Sequence, residues 1–173
     1  MLVFVTGGAR SGKSDFAMSL AEKAGGKPVY IATATPDDAE MAVRIEKHRQ
    51  VRGDGWRTIE ETVNVADAVS TLKGGGYVVV LDCLTLWLTN LLMSEGDGFE
   101  VVAEAKTREL AEAFKGFDGT TIVVSNEVGM GIVPENALAR RFRDVAGSAN
   151  RAIAEAADEV YMVVSGIPLK IKA

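Results

Sequence analysis

Gly7-Gly8-Ala9-Arg10-Ser11-Gly12-Lys13-Ser14 follows a short apolar run, Leu2–Thr6, and leads straight into a segment of helical period, Lys13–Ala24. The spacing is G-x-x-x-x-G-K-S between an expected strand and an expected helix, the context that a phosphate-cradling loop requires. Glycines let the backbone curl so that successive N–H groups converge on phosphate oxygens. The helix N-terminus adds partial positive charge at the same point. Lys13 has the length to reach β/γ-phosphates, and the Ser14 hydroxyl is a hard oxygen suited to Mg²⁺. A nucleoside triphosphate is the expected ligand. The loop by itself does not specify the acceptor.

Outward from this loop, further apolar, β-branched runs lie at Pro28–Thr33, Tyr77–Asp82, Thr120–Ser125 and Glu159–Ser165. They are continuously apolar, as strands covered on both faces are. Helical patterns occupy Pro36–Arg52, Val63–Leu72, Leu84–Met93, Glu100–Phe114 and Pro134–Ala157. The alternation predicts an α/β fold, a mostly parallel sheet with helices on both faces, with ligands beyond the carboxyl ends of the strands. The run Tyr77-Val78-Val79-Val80-Leu81-Asp82 ends in an acid, the layout of a carboxylate that helps hold Mg²⁺ in phosphoryl-transfer enzymes. Trp56-Arg57-Thr58-Ile59-Glu60-Glu61 carries no clear pattern.

The 173 residues, without repeats or a Pro/Ser linker, suit one domain over 1–173. Nineteen Lys and Arg against 24 Asp and Glu leave a net charge of −5, which disfavours a nucleic-acid partner. The single Cys83 cannot form an internal disulfide, which points to a reducing compartment. Apolar runs are too short for a membrane span, and the first residues lack the charged region of a signal peptide. A cytoplasmic protein is expected.

The single histidine, His48, falls in the segment Asp37–Arg52. Helical spacing places Arg44, His48 and Arg52 along one stripe. Neighbouring cations disfavour the imidazolium and keep the ring in its neutral, nucleophilic form. Spacing alone favours a solvated basic face on an amphipathic helix with an incidental histidine. The cluster Arg140-Arg141-Phe142-Arg143-Asp144 similarly suits either a phosphate clamp or a solvated surface. Asn126-Glu127 does not match the N-K-x-D base reader of a regulatory GTPase.

Taken together, several blocks resemble one family. These are Thr6–Ser14; Tyr30-Ile31-Ala32-Thr33-Ala34 with Asp38, Glu40, Met41, Arg44, Ile45 and His48; Trp56-Arg57-Thr58 with Glu60; Ser125–Asn136; and Val164–Leu169. The family is adenosylcobinamide kinase/adenosylcobinamide-phosphate guanylyltransferase, of the cobalamin nucleotide-loop pathway. The resemblance implies a RecA-like P-loop domain that phosphorylates adenosylcobinamide with ATP or GTP. It implies that GMP then passes from GTP to adenosylcobinamide phosphate through a GMP–histidine intermediate at His48, with Lys13 also catalytic. Implied nucleotide contacts are Gly7, Gly8, Ala9, Arg10, Ser11, Gly12, Lys13, Ser14, Thr33, Ala34, Thr35, Arg49, Gln50, Val51, Arg52, Glu60 and Asp82. Mg²⁺ is implied at Ser14 and Asp82, and the assembly is implied to be a homotrimer. The family often has a second His beside the nucleophile and Glu at the strand end, where this chain has Lys47 and Asp82. A guanylyltransferase without kinase activity and a nucleotide-binding regulatory module are the alternatives.

Overall fold

A computed structural model describes residues 1–35, 43, 46, 49–50, 52–53, 55–72 and 74–173. Seven strands form one sheet: β1 (Leu2–Gly7), β2 (Lys27–Ala32), β3 (Arg57–Glu60), β4 (Tyr77–Asp82), β5 (Gly119–Asn126), β6 (Glu159–Val164) and β7 (Ile167–Lys172). The order across the sheet is β3-β2-β4-β5-β1-β6-β7. All pairings are parallel except β6 with β7. The helices are α1 (Lys13–Ala24), α2 (Val65–Ser70), α3 (Leu84–Glu95), α4 (Phe99–Lys115) and α5 (Ala137–Ala156), with one 3₁₀ turn at Gly96–Gly98. Val43, Glu46, Arg49, Gln50 and Arg52 are also helical.

The continuous apolar strands are explained by what covers them. Leu2, Phe4, Ile31, Leu81 and Val123 point to one face, where they pack with Trp87, Leu88, Leu91, Leu110 and Ile153 of α3, α4 and α5. Val3, Val5, Val80, Ile122 and Val124 point to the other and meet Ala17 and Ala21 of α1. Both faces are therefore removed from water, and alternation between polar and apolar residues disappears. Trp87 is 1% exposed, yet its indole Nε1 still donates to the Val63 carbonyl at 2.8 Å. Buried tryptophans need such a partner.

Three boundaries differ from the sequence expectation. The unassigned stretch around Arg57 is an edge strand, β3, parallel to β2 with Tyr30 opposite Thr58. Its end residues are exposed, so it lacks the apolar signature of the interior strands. The last helix begins at Ala137 rather than at Pro134, because the Asn136 side chain caps it by accepting from the Ala139 N–H at 3.0 Å. Beyond Val164 the chain turns back through Ser165 (φ 50°) and Gly166 (φ 83°) into β7. Two consecutive left-handed residues are what a tight two-residue hairpin demands.

Candidate active site

The carboxyl ends of β1, β4 and β5 converge on one cleft of about 570 Å³. Lys13, Asp82 and Asn126 are among the residues that line it. Its floor is the loop between β1 and α1. Gly12 is the N-cap of α1 with φ 90°, a conformation in which a Cβ is strained. Gly7 has a different constraint. A Cβ there would lie 2.5 Å from the Val163 carbonyl oxygen and 2.7 Å from Ser11 Oγ. Gly8 has open space on all sides. The three glycines therefore serve separate ends, namely turn geometry, close approach of β6, and room for a ligand.

The loop is held from outside as well. The Gly166 N–H donates to the Ser11 carbonyl at 2.8 Å, and the Glu127 N–H donates to the Gly7 carbonyl at 3.0 Å. Lys13 is buried, and its ammonium donates to the Gly8 carbonyl at 3.1 Å. A cation at this depth is costly unless it meets compensating charge. Ser11 Oγ is buried without a hydrogen-bond partner among the described residues.

The loop glycines yield a contrast. Gly7→Ala is expected to lower stability by roughly 1–3 kcal/mol, the ordinary cost of overpacking against backbone, and to weaken GTP binding. Gly8→Ala should leave stability unchanged. Thermal unfolding with and without GTP checks both; equal destabilisation by the two substitutions would contradict the packing argument.

Across the cleft, Asp82 accepts a hydrogen bond from the Tyr30 hydroxyl at 3.0 Å. Burial, reinforced by the Asp82 charge, drives the Tyr30 phenol far above its ordinary range, so it stays a neutral donor. The Arg52 guanidinium lies over the Tyr30 ring, 3.7 Å from its centroid. Cation–π contact of this kind holds the cation without a carboxylate partner. Trp56 meets the same ring edge-on at 6.4 Å.

Thr33 sits just past β2. Its hydroxyl donates to the Cys83 carbonyl at 2.8 Å and accepts from the Cys83 N–H at 2.9 Å. This reciprocal pair clamps the end of β4 next to Asp82. The Cys83 thiol is buried, lies 3.1 Å from Thr85 Oγ1, and has its pKa raised by burial. A protonated, buried thiol is a poor nucleophile. The Asn126 amide donates to Thr85 Oγ1 at 2.7 Å, which fixes the β5 end against α3.

The sequence-derived residues divide by position. Ala9, Arg10, Lys13, Ser14, Ala34, Arg52 and Asp82 share the cleft. Gly7, Gly8, Ser11 and Gly12 build its floor, Thr33 braces it, and Thr35 follows, half-buried. Arg49 and Glu60 instead form an exposed ion pair at 3.0 Å, and Gln50 donates to Glu46 at 3.0 Å. None of those three is among the described lining residues. His48, Lys47 and Val51, together with Asp38, Glu40, Met41, Arg44 and Ile45, lie outside the described residues.

Tyr30, Cys83, Thr85 and Phe142 also line the cleft. Tyr30 stands within a motif block and Phe142 within the arginine cluster, but nothing in their spacing distinguishes them from core. The arginines of the α5 cluster have partners of their own. Arg141 forms a two-toothed pair with Glu100, at 2.5 and 2.8 Å, Arg143 pairs with Asp144, and Arg140 donates to the carbonyls of Pro134 and Glu135. A larger groove of about 840 Å³ runs between α4 and α5. It contains neither the phosphate loop nor Asp82.

The family model described as cobinamide kinase / cobinamide phosphate guanyltransferase matches residues 3–171. The chain belongs to that family. It is 43% identical to a bifunctional adenosylcobalamin biosynthesis protein of Escherichia coli strain K12, over 99% of this chain and 100% of that one. The similar protein of Pseudomonas aeruginosa is also 43% identical, over 97% and 95% of the two chains. Among solved structures, the RadB recombinase superposes with a TM-score of 0.51 at 15% identity, over 93% of this chain and 73% of that one. That likeness concerns the fold alone, a RecA-like α/β sheet. Within the cobinamide kinase family, the cleft described above gives this member a buried lysine and a strand-end carboxylate lining one space.

Proposed function

We propose that one domain carries two steps. In the first, the aminopropanol hydroxyl of adenosylcobinamide attacks the γ-phosphorus of ATP or GTP, giving adenosylcobinamide phosphate and the nucleoside diphosphate. In the second, His48 attacks the α-phosphorus of GTP, an N–P bond forms and pyrophosphate leaves. The cobinamide phosphate then displaces His48 and takes the GMP as adenosylcobinamide-GDP. The observation that carries this reading is the phosphate loop, with buried Lys13 and Asp82 lining one cleft, in a chain of this family.

Lys13 is suited to meet charge that develops on the bridging and terminal phosphate oxygens in either displacement. The loop amides fix the triphosphate so that an acceptor approaches in line. Arg52, parked on Tyr30, forms no ion pair among the described residues and is available to a phosphate or base. Covalent transfer through His48 splits one difficult displacement into two.

Ser14 and Asp82 fit Mg²⁺. They are hard oxygen donors, and Mg²⁺ in such enzymes uses few protein ligands because phosphates and waters complete its shell. No group of three or more His, Cys, Asp or Glu forms a metal cage among the described residues. The ion, when bound with the nucleotide, supplies charge neutralisation at the phosphates. Tyr30 holds one Asp82 oxygen and so orients the carboxylate.

We also propose a homotrimer and a cytoplasmic location. No helix among the described residues is long and apolar enough to cross a membrane. Incubation with GTP, Mg²⁺ and adenosylcobinamide, followed by mass spectrometry of products and protein, tests the function. Adenosylcobinamide phosphate, its GDP derivative and a protein carrying one GMP are expected. Nucleotide binding with no corrinoid product would sink the enzymatic assignment.

A further inference from the structure

The loop that joins β5 to α5 leaves the cleft through Glu127 and Val128, both lining residues. It then shows water an aliphatic surface. Met130 is 75% exposed, Ile132 96% and Val133 59%, and Val128 itself is 38% exposed. No charged side chain interrupts 128–134. Such a surface beside an active cleft marks a ligand or partner.

The loop is also anchored. At its near end the Glu127 N–H holds the Gly7 carbonyl, and the Glu127 carboxylate accepts from the Gly129 N–H at 2.6 Å. At its far end Arg140 binds the carbonyls of Pro134 and Glu135, and Asn136 caps α5. Apolar side chains are thus presented from a loop fastened at both ends, which reduces the entropy lost on binding.

The acceptor supplies the matching chemistry. A corrinoid is a macrocycle larger than a nucleotide, with methyl groups and amide arms around its rim. A cleft of about 570 Å³ is within the range of one small-molecule site, and the triphosphate nucleotide already claims it. Only the aminopropanol arm can enter, so the ring must rest outside the mouth. The aliphatic surface continuous with that mouth, through Val128, is this loop. We infer that the loop Val128–Val133 is the seat of the corrinoid ring, with Met130 and Ile132 as its main apolar contacts. This inference rests on the proposed acceptor.

The test is the double variant Met130→Ser/Ile132→Ser in the full chain, with binding and turnover measured separately. Equilibrium dialysis of coloured adenosylcobinamide should show Kd raised about thirtyfold, the expected loss of two side chains each only partly buried under a ring that covers one side of them. KM for adenosylcobinamide should rise in parallel with kcat within about twofold, while labelling of the protein by α-³²P GTP stays at the wild-type level. Unchanged Kd overturns the seat, as does loss of GTP labelling or of the native oligomeric state on gel filtration alongside the weakened binding. Wild-type protein that binds the corrinoid but never turns it over would remove the enzymatic reading and leave the seat standing. Turnover by wild type with unchanged corrinoid affinity in the double variant would do the reverse.

Discussion

The His48→Ala protein, incubated with α-³²P GTP and Mg²⁺, is expected to emerge unlabelled, whereas the unsubstituted chain carries covalent GMP. The chain has a single histidine, so no second imidazole can substitute. Arg52, one helical turn beyond His48, lies in the cleft with its guanidinium on Tyr30. Spacing alone favours a solvated role for the basic residues there; Arg52 itself lines the cleft that also contains Lys13. A neutral imidazole among cations has its lone pair free for phosphorus. Loss of a covalent nucleophile should cut GMP transfer by about 10⁴-fold or more. Phosphorylation of adenosylcobinamide should persist, because attack on the γ-phosphorus needs no covalent step. The bond type gives an independent check, since an N–P adduct is released by mild acid and survives alkali. A label that persists in the variant, or one stable to acid, would remove His48 from the mechanism.

Lys13→Ala should act differently, abolishing both steps together. Each displacement concentrates charge where the buried ammonium points, and removal of one such stabilising group costs about 10²–10³-fold in rate. Lys13 is 8% exposed and donates to the Gly8 carbonyl at 3.1 Å, so its removal gives up that contact while it relieves the burial of a charge. The midpoint of thermal unfolding without nucleotide is therefore expected to change little. The increase that GTP confers on the unsubstituted protein should shrink, because ligand stabilisation follows affinity. Lys13→Arg should not rescue activity; the planar, bulkier guanidinium does not replace a point charge in a tight loop. A variant that retains the kinase step while losing only GMP transfer would show that Lys13 serves one reaction alone.

How much of this was legible beforehand depended on burial. The interior strands declared themselves because both faces are covered, which turns them into unbroken Val, Ile and Leu runs. The phosphate loop was legible for a different reason, since its glycines answer to local geometry that a short motif encodes. Arg57–Glu60 escaped because an edge strand with exposed ends needs no apolar code. Ile167–Lys172 escaped because all six residues are exposed and it pairs on one side only, with β6. Tyr30 and Arg52 could not be linked from sequence, since their contact joins β2 to a segment separated by a helical stretch. The same limit hid the Thr33–Cys83 clamp, whose partners are fifty positions apart. Arg141 shows the same limit, because its pairing with Glu100 joins residues 41 positions apart.

The Gly166 N–H that holds the Ser11 carbonyl joins residues 155 positions apart (166 − 11). During synthesis, the phosphate cradle therefore leaves the ribosome well before its brace. A nascent chain that has not yet made Gly166 lacks one of the cradle's supports. Competence to bind GTP should rise once the hairpin that carries Gly166 has emerged and closed on residues made long before.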